Sequence, residues 1–360
     1  MTRTKTPLIL VINPGSTSTK VAVFRALKPL FEATVEHDHA QLETLGRVVA
    51  QTALRKSAVL SELKARNIRL DEDVDVVIGR GGFLRPVTGG VYAVNPRMLR
   101  DLRRSTYGEH ASNLGAVIAN ALAGGGRKPC YVANPVVLDE LEPAARLTGH
   151  PAVARRSVFH ALNQKAVAGK VAARLGRPYS RCNFVVAHVG GGVSVGAHRR
   201  GRVVDVNNAL DGDGPFSPER TGSLPLLPFC RLVTERKMSW REVVTMVSRA
   251  GGMLAHLGTN DCRRIEILVR SGSRRHTLVF QAFVHQVAKA IGAGAAVLGG
   301  NVDAVVLTGG VLKCRWIRSR LVRKVRFIAP VHVLAGNLEM EALAAAAFDV
   351  WRGRTRARTY

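Results

Sequence analysis

Two short apolar runs, each broken by a glycine-bearing polar loop and resumed at once, constrain this chain more than any other feature. Leu8-Ile9-Leu10-Val11-Ile12 leads into Asn13-Pro14-Gly15-Ser16-Thr17-Ser18-Thr19-Lys20, and Val21-Ala22-Val23-Phe24 follows. Phe184-Val185-Val186-Ala187-His188 leads into Gly190-Gly191-Gly192. Val193 to His198 leaves that loop, and Val203-Val204-Asp205-Val206 returns after Arg199-Arg200-Gly201. The flanks are short and rich in β-branched residues, so they predict strands with polar turns between them. Two such units, each followed by helical sequence, predict an α/β fold made by internal duplication, with a nucleotide between the halves. Coincidence between two glycine-bearing hairpins is the competing explanation.

The first loop carries one Gly, four hydroxyls and a Lys. Backbone N–H groups, hydroxyl donors and a cation are what hold phosphate. The second Gly, the Gly-Lys-Ser/Thr ending and the following helix of a Walker A loop are missing. Asn13-Pro14-Gly15 would suit a plain hairpin; the hydroxyl run ending in Lys20 would not, so phosphate contact is the expectation.

At 360 residues, 46% apolar and 22% charged, the chain can bury a real core, and its composition is that of a folded soluble protein of two domains. No apolar run approaches the ~18 residues of a membrane span, and Asn13-Pro14 ends the first one too early for a signal peptide. Cys130, Cys182, Cys230, Cys262 and Cys314 are scattered without a C-x-x-C pair. That pattern predicts reduced thiols in the cytoplasm, not structural zinc or a disulfide framework. The net charge is +27, densest at Lys313, Arg315, Arg318, Arg320, Arg323, Lys324 and Arg326, with a tail of Arg352, Arg354, Arg356 and Arg358. A solvated helix face with a frayed end is one reading; a polyanion-binding surface is the other. No nucleic-acid motif favours the second, so nucleic acid is a possible partner but not the expected one.

Strand 74–78 runs into Gly79-Arg80-Gly81-Gly82, a turn presenting one Arg. Strand 302–307 ends in Thr308-Gly309-Gly310, where small residues would let a base or ribose approach the backbone. Residues 277–299 and 338–352 predict helices. No low-complexity linker separates the domains.

These residues resemble the butyrate kinases of the acetokinase family. The resemblance is carried by Asn13 to Lys20, Gly79 to Gly82, Gly108-Glu109-His110-Ala111-Ser112-Asn113, Phe159-His160-Ala161-Leu162-Asn163-Gln164-Lys165 and His188 to Gly192. Asp205 to Gly212, Phe216-Ser217-Pro218-Glu219-Arg220 and Leu257-Gly258-Thr259-Asn260-Asp261 extend it. It implies two duplicated ribonuclease H-like α/β domains closing on ATP: residues 1–155 completed by the C-terminal helix 337–360, and residues 156–336. It implies ATP- and Mg²⁺-dependent phosphorylation of a short-chain carboxylate to an acyl phosphate, by a homo-oligomer. Asn13, Ser16, Ser18 and Lys20 would line the phosphate site. Arg80 and Arg220 would flank substrate and migrating phosphoryl group, since planar guanidinium forks suit both kinds of oxygen. His188 would donate to the equatorial oxygens in the transition state, with His110 in support. Gly190, Gly191, Gly192, Asp261, Arg263, Gly309 and Gly310 would serve the nucleotide, although Asp261 also suits a helix cap.

Two positions depart from the family. Ala133-Asn134-Pro135 stands where the family has Val-Asp-Pro, and Ala335-Gly336-Asn337 where it has Pro-Gly-Glu. By resemblance those acids serve Mg²⁺, which prefers anionic oxygen ligands. Asn134 and Asn337 therefore predict weakened metal capture. The alternative reading that follows is a catalytically weakened nucleotide-binding homologue acting through its basic surface. An actin-like or heat-shock-type ATPase would share the fold but transfer phosphate to water.

Overall fold

A computed structural model describes residues 5–360. Contacts divide the chain into two compact units, one made of residues up to Leu138 plus Leu338–Tyr360, the other of Asp139–Asn337.

In the first unit, β1 (Leu8–Pro14), β2 (Ser18–Arg25) and β3 (Lys28–Glu36) form an antiparallel meander, and β4 (Val76–Arg80) lies parallel to β1. The short β5 (Val91–Ala93) runs antiparallel to β6 (Cys130–Ala133), which is parallel to β4. In the second unit, β7 (Asn183–Val189), β8 (Val193–Arg199) and β9 (Arg202–Val206) repeat the meander. There β10 (Ala304–Gly309) is parallel to β7, and β11 (Val331–Ala335) to β10. The strand orders β6-β4-β1-β2-β3 and β11-β10-β7-β8-β9 are the same. The duplication expected from the two strand–loop–strand units is thus present in the topology, well beyond the hairpins that suggested it.

Every residue of β1 is buried, as is every residue of β10. Such continuous apolar runs belong to strands covered on both faces. In the first unit the helix Asn113–Leu122 packs so closely on β4 that a Cβ on Gly79 would meet the Gly115 carbonyl oxygen at 2.2 Å, and one on Gly115 would meet Arg80 O at 2.2 Å. Two facing glycines let the backbones touch. The helix Glu339–Trp351 returns to this unit and packs on β1 and β4. In the second unit, the helix Arg274–Val297 presents Phe280, Phe283, Val284, Val287 and Ile291 to the buried cluster around β7 and β8.

Residues 139–155, grouped above with the first half of the chain, are bonded into the second unit. Glu142 N–H donates to Val204 O at 2.9 Å, and Glu140 pairs with Lys165 at 2.9 Å. The arginine-rich tail does not fray. Arg358–Thr359 forms β12, parallel to β5, and Tyr360 is buried with its hydroxyl donating to Asp101 at 2.9 Å. The basic run at Arg315–Val325 is an amphipathic helix with Ile317, Leu321 and Val325 buried, so most of its charge is a solvated face. All five cysteines are unpaired. No helix among the described residues is long and apolar enough to cross a membrane.

Candidate active site

In the first unit the strands reach further into the polar loop than its composition suggests. Asn13 pairs with Lys20 and Pro14 with Thr19 across the β1–β2 ladder, leaving a turn closed by Gly15 N–H donating to Ser18 O at 2.8 Å. Alternation along β2 puts Ser18 and Lys20 on one face and Thr19, fully buried, on the other. Ser16 is exposed at the turn. The four hydroxyls therefore do not act together. Thr19 Oγ1 lies 2.8 Å from His37 Nε2 and accepts from Arg55 at 3.1 Å. Burial, then the Arg55 charge, lower the pKa of His37, so its neutral ring nitrogen can take the Thr19 proton.

Arg55 is completely buried on the helix Thr52–Lys64, facing inward with Val59 and Leu63. Its Nη1 donates to Ser18 O at 2.7 Å, its Nη2 to Ser16 O at 2.8 Å, and Nε and Nη2 both donate to Gln51 Oε1. One guanidinium thus ties the loop carbonyls inward. The signal in the sequence was an Arg at the i−4 and i−8 spacing from Val59 and Leu63, a core position.

Arg80 is the last residue of β4, not part of the turn after it. Its Nη1 donates to Glu339 Oε2 at 3.2 Å and to Asn13 Oδ1 at 3.4 Å, while Asn13 Nδ2 donates to the same Glu339 oxygen at 2.8 Å. Asn13 and Glu339 are buried. Glu339, in the first turn of its helix, is one of three acids, with Asp139 and Glu140, that lie close in sequence to the two departures from the family. His110 Nδ1 accepts from Ser112 N–H at 3.1 Å, which leaves the proton of a neutral ring on Nε2. Asn134 sits at φ 38 just after β6, with its Oδ1 accepting from Gly90 N–H at 2.9 Å. Its side chain closes a loop, as Asn does well in the left-handed region.

In the second unit Gly190–Gly192 turns β7 into β8, with Gly190 N–H donating to Gly192 O at 3.0 Å. These glycines are places where side chains from elsewhere lie. A Cβ on Gly190 would meet His188 Nε2 at 2.9 Å, and one on Gly192 would meet Arg220 Nη1 at 2.3 Å. Arg220 is anchored by Nη1 donating to Ala209 O, and its backbone N–H donates to Ser217 Oγ at 3.0 Å. Burial lowers its pKa, with Glu219 and Asp211 opposing. Its buried Nε has no acceptor among the described residues, which suits a guanidinium that completes its hydrogen bonds on an anion.

His160 stacks on His188 at 3.8 Å between centroids and 6° between planes. It also lies along Gly192, whose Cβ would be 3.4 Å from His160 Cε1. His160 lies within Phe159 to Lys165, one of the segments that carry the family resemblance. Asn163 fixes the protonation of its partner. Thr308 Oγ1 donates to Gly336 O at 3.1 Å, so it accepts from Asn163 Nδ2 at 3.1 Å; the other Asn163 N–H faces His188 Nδ1 at 2.8 Å. His188 therefore presents Nε2–H at the glycine loop.

A cavity of about 600 Å³ opens beside this loop. His188, Gly190, Gly191, Asp261, Arg263, Gly310 and Asn337 line it together with Glu219, Glu266 and Lys313. Asp261 caps the helix Cys262–Arg270, accepting from Arg263 N–H at 2.8 Å. Gly309, by contrast, faces protein: at φ 108 its Cβ would lie 2.2 Å from Val189 O. It is needed for that close approach, and Gly310, with nothing near, is the member of the pair open to the cavity.

The model of the acetokinase family matches residues 147–337. Butyrate kinase 2 of Clostridium acetobutylicum is 44% identical over 352 residues, 98% of this chain and 99% of that one. A probable butyrate kinase of Listeria welshimeri is 45% identical over the same shares. The chain belongs to the acetokinase family. Its fold agrees with that of Porphyromonas gingivalis acetate kinase, at a TM-score of 0.77 and 19% identity over 96% of this chain and 99% of that one. A propionate kinase of Francisella tularensis matches at a TM-score of 0.75 and 18% identity, over 94% and 98%. For this acetokinase both sheets and their duplicated order are thus those of the carboxylate kinases.

Proposed function

We propose that this acetokinase phosphorylates butyrate, or a straight or branched acid of similar length, with ATP. A carboxylate oxygen attacks the γ-phosphorus, the bond to the β–γ bridging oxygen breaks, and acyl phosphate and ADP leave. The nucleophile is already an anion at neutral pH, so no general base is required. Positioning and neutralisation of charge on the transferring group are what remain to be supplied. The observation that carries the reading is the composition of the glycine-loop site: Arg220 with a buried, unsatisfied Nε, beside two stacked imidazoles. It is a site of donors.

In this reading Arg220, His188 and His160 donate to the equatorial oxygens of the phosphoryl group. Asn13, Ser16, Ser18 and Lys20 serve phosphate, Arg80 the acid's carboxylate, and His110 supports them. Gly190, Gly191, Gly310, Asp261 and Arg263 serve the nucleotide along the cavity wall. Glu339 would help to hold Mg²⁺, which when bound would offset the charge of the phosphate oxygens. The family's two departures bear on it less than the motifs implied, because the buried acid at this point is Glu339. A carboxylate plus phosphate oxygens is a fitting set for Mg²⁺. The weakened-homologue reading rested on Asn134 and Asn337, and its ground narrows accordingly.

The test is a hydroxylamine trap with ATP, Mg²⁺ and acids from acetate to valerate and isobutyrate. Hydroxamate should form fastest with butyrate or a neighbour in size. ATP binding by calorimetry with no hydroxamate from any acid would return the weakened homologue to first place.

A further inference from the structure

A chain of side chains with a fixed direction runs behind His160. Gln164 sets its polarity. The Gln164 amide nitrogen faces the Ser194 backbone carbonyl at 3.0 Å, a pure acceptor, so the amide cannot be turned the other way. Its Oε1 must then be the atom 2.9 Å from His198 Nε2, and that nitrogen must carry the proton. His198 is fully buried. Burial, then the Lys165 charge, lowers its pKa to about 3. Being neutral, its Nδ1 accepts from the Tyr179 hydroxyl at 2.7 Å.

The direction continues toward the site. The second Gln164 N–H donates to Ser194 Oγ at 2.8 Å, and the His160 backbone N–H points at the same oxygen from 3.5 Å. Oγ thus accepts from Gln164, with the His160 N–H at the outer limit of a hydrogen bond. Its remaining contact is His160 Nδ1 at 2.9 Å, so the Ser194 proton goes there. A ring that accepts at Nδ1 is neutral and carries its proton on Nε2.

We propose that Tyr179, His198, Gln164 and Ser194 form a one-way hydrogen-bond relay that holds His160 as its neutral Nε2–H tautomer. These four are positioning residues: they act on the phosphoryl group through His160. The same arrangement gives the stack its use. Asn163 holds His188 in the matching tautomer, so the two parallel rings present two N–H donors and no added positive charge between them. The consequence for turnover rests on the reading of His160 as a phosphoryl donor; the tautomer itself does not.

The experiment records nitrogen–proton correlations of the full chain labelled with ¹⁵N-histidine at pH 7, with His160 assigned by the signals lost in His160→Gln. His160 should show a bare Nδ1 and a protonated Nε2 in the unmodified protein. In Ser194→Ala that pattern should collapse toward exchange between the two tautomers, with kcat down at least about tenfold and KM for ATP changed less than about threefold. Ser194→Thr, which keeps the hydroxyl, should restore both. A proton on Nδ1 in the unmodified protein, or an unchanged pattern in Ser194→Ala, overturns the relay. A collapsed pattern with unchanged kcat leaves the relay standing and removes His160 from the phosphoryl group.

Discussion

Glu339 and Asn13 are 326 residues apart in the chain and joined by a 2.8 Å hydrogen bond, with Arg80 on the same carboxylate oxygen at 3.2 Å. Glu339, two residues after Asn337, is a buried carboxylate at this point. Glu339→Gln should weaken Mg²⁺, raising the concentration for half-maximal rate at least about tenfold, because the anionic ligand is lost. Asn337→Glu and Asn134→Asp should each change it less than about threefold, since Asn134 already spends its oxygen on Gly90. Metal titrations of the three variants check this; a larger effect at Asn134 or Asn337 than at Glu339 would reverse the assignment.

Arg55 should prove costly to remove. Arg55→Met leaves the carbonyls of Ser16 and Ser18 without their buried donor, a loss of about 3 kcal/mol in urea unfolding. KM for ATP should rise in Arg55→Lys, which keeps the charge but cannot reach all the acceptors at once. Unaltered KM with lowered stability would make Arg55 a core residue without influence on the loop.

Gly192 and Arg220 should fail together. A Cβ at 192 would meet Arg220 Nη1 at 2.3 Å, so Gly192→Ala must displace the guanidinium. Both Gly192→Ala and Arg220→Lys should cut kcat by about 10²-fold or more. The double variant should be little worse than either alone, as expected for residues acting as one unit. Additive losses would separate them.

His198 should make the protein acid-sensitive. Its folded pKa of about 3 lies below its unfolded value of 6.5, since burial disfavours the cation. The unfolded chain thus binds a proton that the folded one does not. The stability from this group is complete above pH 6.5 and is lost as pH falls towards 3, at about 1.4 kcal/mol per unit. His198→Gln should flatten urea-derived stability between pH 6 and 5 by nearly that slope. An unchanged slope would mean that His198 titrates normally.

The strand–loop–strand units were legible because apolar runs and punctuating glycines are local signals. The helices at 274–297 and 339–351 were legible for the same reason. The motif residues Asn13, Arg80, His188 and Arg220 were legible as chemistry without geometry. What stayed hidden was each residue whose meaning depends on a distant neighbour. Gly309 looked open to a ligand and instead admits the Val189 backbone. Thr19, counted among the four hydroxyls of the phosphate-type loop, faces Arg55.

The sequence by itself determined the duplicated α/β plan and the family, and it supplied a candidate site of cations, imidazoles and glycines. Periodicity and motif are properties of neighbours along the chain. Only the tertiary structure decided that Glu339 is the buried acid beside Asn13, that Arg55 braces the first loop, and that a relay stands behind His160. Hydrogen-bond direction and burial arise between segments far apart in sequence, and no local pattern encodes them.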